Sequence, residues 1–588
     1  MAKKNSPPRG KAEPKAEEKP KKDSLPRGKA EEKPKSAPRD SLRETVESVV
    51  IAFVLAFLFR TFEAEAFVIP TGSMAPTLMG RHKDLLCSNC RYPYRVSASD
   101  EERRDGGDWQ SQAQEEANKV VASVCPVCRY QMNYGPDGPE ASLPHASYKG
   151  DRILVAKFPY EFSDPNRWDV AVFKNPSRAK ENYIKRVVGL PNETVVISRG
   201  DIHTTQQDLS YETLDVGLVS KMRQDGVLQI QHKPPSKVEA MLQVVHDNDY
   251  LPDGMPLRWE QQTPGWETLK KGSTFDYDGK ASGDALILYN HLLPTPALWE
   301  RLKEFPKLTV TAEETPAQLI TDFYAYNTSE QFQSSPRYDT DVYGNHWVGD
   351  LAIECSAEVK GSQGEVVLQL VEGGQVFECR IDVASGKARF SLVGADADEM
   401  EAQTAVRGAG TYRLRFANVD DQLLLWVNGK SVAFDGRYGP LGNLVPNRDD
   451  LAPARLGSNG VAVRFDHLRI LRDVYYIAVN STNTGDFGRL ADFDNPAKWN
   501  AFATEAAVSF PLAADQFLVL GDNSPRSQDS RLWRAYDEDG RTEHYVKREL
   551  LIGKAVYIYW PHPLAFPGLP DTWWFPFLPN IPRMGFVR

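Results

Sequence analysis

Tyr183-Ile-Lys185-Arg-Val-Val-Gly-Leu-Pro191 reads as a short β-strand closed by a Gly/Pro turn, with one lysine among Ile184, Val187, Val188 and Leu190. A lysine on a half-buried strand either faces solvent or turns inward and loses its water. Burial disfavours the charged form and can lower the amine several units from its usual value of about 10.4. A neutral amine at about pH 7–8 is a competent general base. Lys185 is therefore a candidate catalytic residue.

Three further blocks lie outward from it. Gly150-Asp-Arg-Ile-Leu-Val-Ala-Lys-Phe158 is a strand entry with alternating apolar residues. Phe517-Leu-Val-Leu-Gly-Asp-Asn-Ser-Pro-Arg-Ser527-Gln-Asp529-Ser-Arg531 is a buried strand running into a polar turn. Upstream, Phe67-Val-Ile-Pro-Thr-Gly-Ser73-Met-Ala-Pro-Thr-Leu78 sets a serine after glycine between two prolines. That turn can project a hydroxyl, although most serines in such turns only bond locally.

In chain order, the Ser73, Gly150, Lys185 and Ser527 blocks, followed by the terminal Ile552-Gly-Lys-Ala-Val-Tyr-Ile-Tyr-Trp560-Pro, resemble bacterial type I signal peptidases. The resemblance implies a mainly β fold: a signal-peptidase-type catalytic domain after one N-terminal transmembrane helix. It implies Ser73 as nucleophile, Lys185 as general base, and an oxyanion hole from the Ser73 N–H and the Thr71 hydroxyl. Ser527 would orient the lysine amine, and Asp529, Arg531 and Arg186 would form a supporting ion-pair network. Phe67, Val68 and Ile69 would wall shallow pockets for small residues, giving an Ala-X-Ala preference. The substrates implied are preproteins emerging from the secretion machinery, and catalysis needs no cofactor. Where relatives often carry Gly-Asp after Leu-Pro, this chain has Pro191-Asn-Glu193; asparagine tolerates the positive φ that glycine would supply.

The first 44 residues hold fourteen Lys/Arg against eight Asp/Glu, and repeat PRGKAE and EEKPK. Such a segment cannot bury enough apolar surface to order itself, and its positive charge argues for a cytoplasmic tail. Ser48–Phe59 is uncharged and apolar but short. Ala64-Glu65-Ala66 imitates a signal-peptide cleavage site, whereas 42–62 reaches spanning length if Arg43, Glu47 and Arg60 lie at the interfaces. With the protease blocks behind it, 45–62 is expected to be an uncleaved anchor in the inner membrane of a bacterium. Membrane lipid is then a partner, and the catalytic domain lies on the outer, periplasmic face. The net charge of −10 offers no basic face for nucleic acid.

The catalytic blocks are assigned to 63–80, 149–200 and 513–562, with 479–512 as a return segment and 563–588 as a tail. Between them lie insertions. Residues 81–148 contain Cys87-Ser-Asn-Cys90-Arg-Tyr and Cys125-Pro-Val-Cys128-Arg-Tyr, two knuckles of the same CxxCRY pattern able to give four thiolates to structural Zn²⁺ in a zinc-ribbon-like insertion. Disulfides are the alternative outside the cytoplasm. The acidic, Gln/Ala-rich stretch 99–122 between the knuckles reads as a polar or helical excursion. Residues 201–335 yield no motif. From 336 to 478, alternating runs such as Leu351–Val359, and Gln422–Val427 before an Asn428-Gly429 turn, resemble a concanavalin/laminin-G-like β-sandwich with a carbohydrate or protein ligand. Cys355 and Cys379 fall on its inward parity, as buried thiols or one disulfide. A self-cleaving Ser/Lys protein of the LexA-repressor kind and a lectin-like surface binding protein are the rival readings. The anchor disfavours the first, and the intact Ser73, Lys185 and Ser527 set the second.

Overall fold

The computed structural model describes residues 41–58, 64–102, 118–141, 146–176, 178–209, 213–305, 307–331, 344–395, 399–442, 445–482, 485–486, 493–533, 543–562 and 580–588. The basic tail to residue 40, most of the 99–122 excursion and most of the 563–588 tail lie outside them. The chain divides into two compact units at Leu58/Phe59.

The first unit contains one α-helix, Ser41–Leu58. It carries Arg43, Glu44 and Glu47, and Val46, Val49, Val50, Ile51, Phe53 and Val54 are exposed. Among the described residues no helix is long and apolar enough to cross a membrane. The spanning anchor expected over 45–62 is therefore not shown by the described helix. Its described part is 18 residues long, with Arg43, Glu44 and Glu47 in the first two turns, and 59–62 lie outside the described residues.

In the second unit the protease blocks become neighbours in one antiparallel sheet of eight strands. Its order is Ala64–Val68, Arg152–Ala156, Leu551–Trp560, Val170–Asn175, Arg178–Gly189, Gln516–Leu520 and Val546–Lys547, with Gly585–Phe586 added beside Leu551–Trp560. The alternation in Arg152–Ala156 puts Ile153 and Val155 inward. They close a core with Ile69, Met74, Leu78, Val170, Val172, Ala555 and Ile558. A five-stranded sheet continues from this frame, ordered Thr213–Asp215, Ala506–Pro511, Thr194–Ser198, Asp201–Thr205 and Gln229–Ile230. Asn192 takes the expected positive φ, 63°.

Residues 243–472 supply two antiparallel sheets of eight and seven strands. Inward residues of both, including Ile353, Phe416 and Phe465 from one and Ile287, Leu368 and Phe377 from the other, share a single core. The Asn428-Gly429 hairpin forms with φ of 52° and 76°, as its turn chemistry requires. Strands Gln243–Asp247, Trp259–Gln261, Trp266–Leu269, Thr274–Tyr277 and Asp284–Tyr289 also belong to these sheets, although they come from the motif-poor stretch before 336. Cys355 and Cys379 are buried free thiols in this core.

Candidate active site and cysteine cluster

Ser73 lies on the 3-10 turn Gly72–Met74 and is 8% exposed. Gly72 is required there because a Cβ would stand 2.2 Å from the Tyr326 ring. Lys185 comes from the central strand Arg178–Gly189, paired with Ala171, and is 4% exposed. Its Nζ is 2.8 Å from Ser73 Oγ. Burial lowers the Lys185 amine to about 8, opposed by Asp529 and Asp522 and aided by Arg531. A neutral Nζ at this distance accepts the hydroxyl proton, which is the first requirement for serine attack.

Neighbouring side chains on a strand face opposite ways, so Arg186 leaves the lysine's side of the sheet. It forms a buried two-point pair with Asp522: Nε to Oδ1 at 2.7 Å and Nη2 to Oδ2 at 2.6 Å. Thr77 Oγ1 donates to the same carboxylate at 2.5 Å. The single network expected of Arg186, Asp529 and Arg531 is thus two separate pairs. Arg531 holds Asp529 through Nε and Nη2, both at 2.8 Å, and the Gly521 N–H donates to Asp529 Oδ2 at 3.1 Å. Burial pushes the Asp529 carboxyl up, but Arg531 beside it brings it below the ordinary carboxylate value.

Ser527 is 3% exposed and its Oγ has no hydrogen-bond partner among the described residues. It lies beside Gly521, whose hypothetical Cβ would be 2.2 Å from that oxygen. The structure therefore shows no bond from Ser527 to the lysine amine. The Thr71 hydroxyl, at the start of the nucleophile turn, makes no capping bond. Of Phe67, Val68 and Ile69, Val68 is half exposed and Phe67 packs on the core, while Ile69 is closed into it. Ala64–Val68 is the terminal strand of its sheet, with one edge unpaired among the described residues.

The four knuckle cysteines converge. All are buried free thiols, with Cys87–Cys128 and Cys90–Cys125 each 3.6 Å between sulfurs, and the four sulfurs lie within 4.8 Å of one another. The two knuckles have the same backbone. Arg91 and Arg129 N–H donate to the Cys87 and Cys125 carbonyls, with φ of 66° and 59°. Thiolates at zinc stand about 2.3 Å from the metal, which gives a tetrahedral edge of about 3.8 Å. The cluster fits such an ion.

Sequence reasoning passed over Asp522 and Asn523, although both stand inside the third block. Nothing in the sequence signalled Tyr326 or Asn327, which lie beside the nucleophile turn.

Residues 137–255 and 457–560 match the family described as signal peptidase, peptidase S26. The matched stretches contain Lys185, Asp522 and Asp529 but not Ser73. The chain is 45% identical over 69 residues to signal peptidase I of Pseudomonas aeruginosa, covering 10% of this chain and 24% of that protein. It is 25% identical over 175 residues to probable signal peptidase I-2 of Synechocystis, covering 29% and 48%. The chain thus spans about a quarter of the length of the first curated relatives it matches. A carbohydrate-binding module from Bacillus subtilis matches with TM-score 0.21 and 12% identity, over 36% of this chain and 95% of that one. A Caenorhabditis elegans galectin matches with TM-score 0.16 and 14% identity, over 21% and 83%. At these scores neither bears on the role of the two-sheet region.

The lowered amine makes a stability prediction. Between a native value of about 8 and an unfolded value of about 10.4, the unfolded chain holds more protons, so this group's contribution to stability rises with pH across that window. Below it, the buried ammonium destabilises the fold in full. Lys185→Met should therefore raise stability at pH 7, by up to about 3 kcal/mol, with the gain shrinking by pH 10. Urea unfolding at the two pH values measures it; an equal gain at both contradicts the buried, titrating lysine.

Proposed function

We propose that this chain is a membrane-associated serine endopeptidase of the type I signal peptidase kind. It removes N-terminal signal peptides from secreted preproteins after small residues of the Ala-X-Ala type. The observation that carries this reading is the 2.8 Å approach of a desolvated Lys185 Nζ to Ser73 Oγ.

In the proposed cycle neutral Lys185 takes the Ser73 proton as Oγ attacks the scissile carbonyl. The Ser73 N–H and the Thr71 hydroxyl stabilise the oxyanion, and the lysine returns the proton to the leaving amine. Water then enters and attacks the acyl-enzyme, giving a proton to the same amine, which passes it to Ser73 Oγ as the acyl group leaves. The preprotein segment would lie along the open edge of Ala64–Val68, in the manner of strand addition. Val68, half exposed at that edge, would meet the small side chains.

Cys87, Cys90, Cys125 and Cys128 would hold structural Zn²⁺, whose charge lets four buried thiolates coexist. The exposed apolar residues of the helix Ser41–Leu58 would bring the chain to the cytoplasmic membrane of a bacterium, with catalysis on its periplasmic face.

With purified protein and a preprotein, Ser73→Ala and Lys185→Ala should each abolish processing. Lys185→Arg should fail too, because a guanidinium keeps its proton. Substantial cleavage by either alanine variant removes the dyad. Activity of the parent should climb as pH rises through about 8, as Lys185 loses its proton; a flat profile across that range argues against it as base. Protein prepared without chelator should contain close to one zinc per chain, and chelation should expose four reactive thiols and loosen the 81–148 region. Absence of both metal and free thiols there would show disulfides instead. Deleting residues 41–58 should move the protein out of the membrane fraction, and unchanged partitioning would count against the helix as its membrane contact.

A further inference from the structure

The turn that carries Ser73 is held from outside its own block. Asn523, 1% exposed, donates to it twice: its N–H to the Ser73 carbonyl and its Nδ2 to the Gly72 carbonyl, both at 3.0 Å. The Asn523 carboxamide is in turn met by that of Asn327. Nδ2 of each donates to Oδ1 of the other, at 2.7 Å in both directions. Asn327 belongs to none of the four protease blocks. It ends the 3-10 turn Ala325–Asn327, in the long insertion between the lysine and the third block.

The same turn touches the nucleophile segment a second time. Tyr326 is 1% exposed and its ring lies over Gly72, so closely that only glycine fits. Its ring also packs with Ala75 and Met79. On the far side Thr328 Oγ1 accepts the Val124 N–H at 2.9 Å and donates to the Ala325 carbonyl at 2.8 Å. The turn is therefore tied to the strand that leads into Cys125.

A reciprocal amide pair fixes which way both carboxamides face. If Asn523 alone were reversed, its oxygen would meet the Gly72 carbonyl and its amide donors would meet the Asn327 donors. Asn327 thus decides that Asn523 offers hydrogen to the Gly72 carbonyl. We propose that Asn327 is a positioning residue for the nucleophile, acting through Asn523 to hold the Gly72–Ser73 turn where Ser73 Oγ meets Lys185. This rests on the dyad reading above. It gives the long insertion a part in catalysis: one edge of it completes the support of the active serine. A displacement of about 1 Å at a reacting group can cost about a hundredfold in rate, so a single amide pair is enough to matter.

The test uses the purified full chain and a preprotein substrate, with Ser73→Ala alongside. Asn327→Ala, and Asn327→Asp, which keeps the shape but loses the donor, should each lower kcat by about 10–100-fold. KM should stay within about twofold, and the melting temperature near that of the parent. Because a looser turn admits water to Lys185, the acidic limb of the rate profile should move to higher pH. In an Asn523→Ala background, Asn327→Ala should add less than about twofold, as expected for two residues acting through one contact. Parent-like kcat in both Asn327 variants, with Ser73→Ala inactive, overturns this proposal and leaves the dyad standing. A fall in kcat that only follows lost folded protein, with the pH limb unmoved, also overturns it. An active Ser73→Ala chain overturns the dyad and this proposal with it.

Discussion

An amine kept dry beside a hydroxyl is the constraint on which the site depends. Lys185 can act as a base only while its charge is disfavoured, and that requires apolar packing on a strand in the middle of the sheet. The same dryness makes any other unpaired charge nearby costly. The two acidic groups closest in effect, Asp529 and Asp522, are each locked to an arginine through two hydrogen bonds. Breaking such a buried pair by removing one partner typically costs about 3–5 kcal/mol, because the other charge is left stranded. The Arg186–Asp522 pair also pins the third block against the strand that carries the lysine.

The sheet order explains how so much chain can be inserted without losing the site. Neighbouring strands come from residues 64–68, 152–156, 551–560, 170–175, 178–189 and 516–520, so only the strand pairing must survive between them. The two-sheet region between the lysine strand and the third block has its own apolar core and closes on itself. The cysteine cluster likewise sits in a core of its own, which includes Trp299, Phe323 and Ala325 from the long insertion. Through Ala325–Asn327 that second core reaches the nucleophile turn, so the added chain is continuous with the site.

Much of the site was legible because its parts are local signals. The alternation in Arg152–Ala156, the glycine before Ser73, the apolar setting of Lys185 and the paired CxxC knuckles all depend on residues close in sequence. Their pairing across the fold was less so. The partner of Arg186 stood within the third block as Asp522, but spacing alone does not say which of two aspartates faces which arginine. Ser527, expected at the lysine amine, is buried beside Gly521 and makes no bond to it. The apolar run after the basic tail suggested a full span; the described helix covers Ser41–Leu58, and 59–62 lie outside the described residues.

What the sequence determined by itself was chemistry and periodicity: a serine on a rigid turn, a lysine among aliphatic neighbours, four thiols in two matched knuckles, and strands marked by alternation. Tertiary structure decided which of these meet. Strands from 243–289 joined the two large sheets, although no motif announced them, because a sheet face left uncovered must find a complementary one. Asn327 reached Asn523 across 196 residues for the same kind of reason. Burial and amide pairing are properties of surfaces brought together by the whole fold, and a chain read residue by residue carries no record of which surfaces those are.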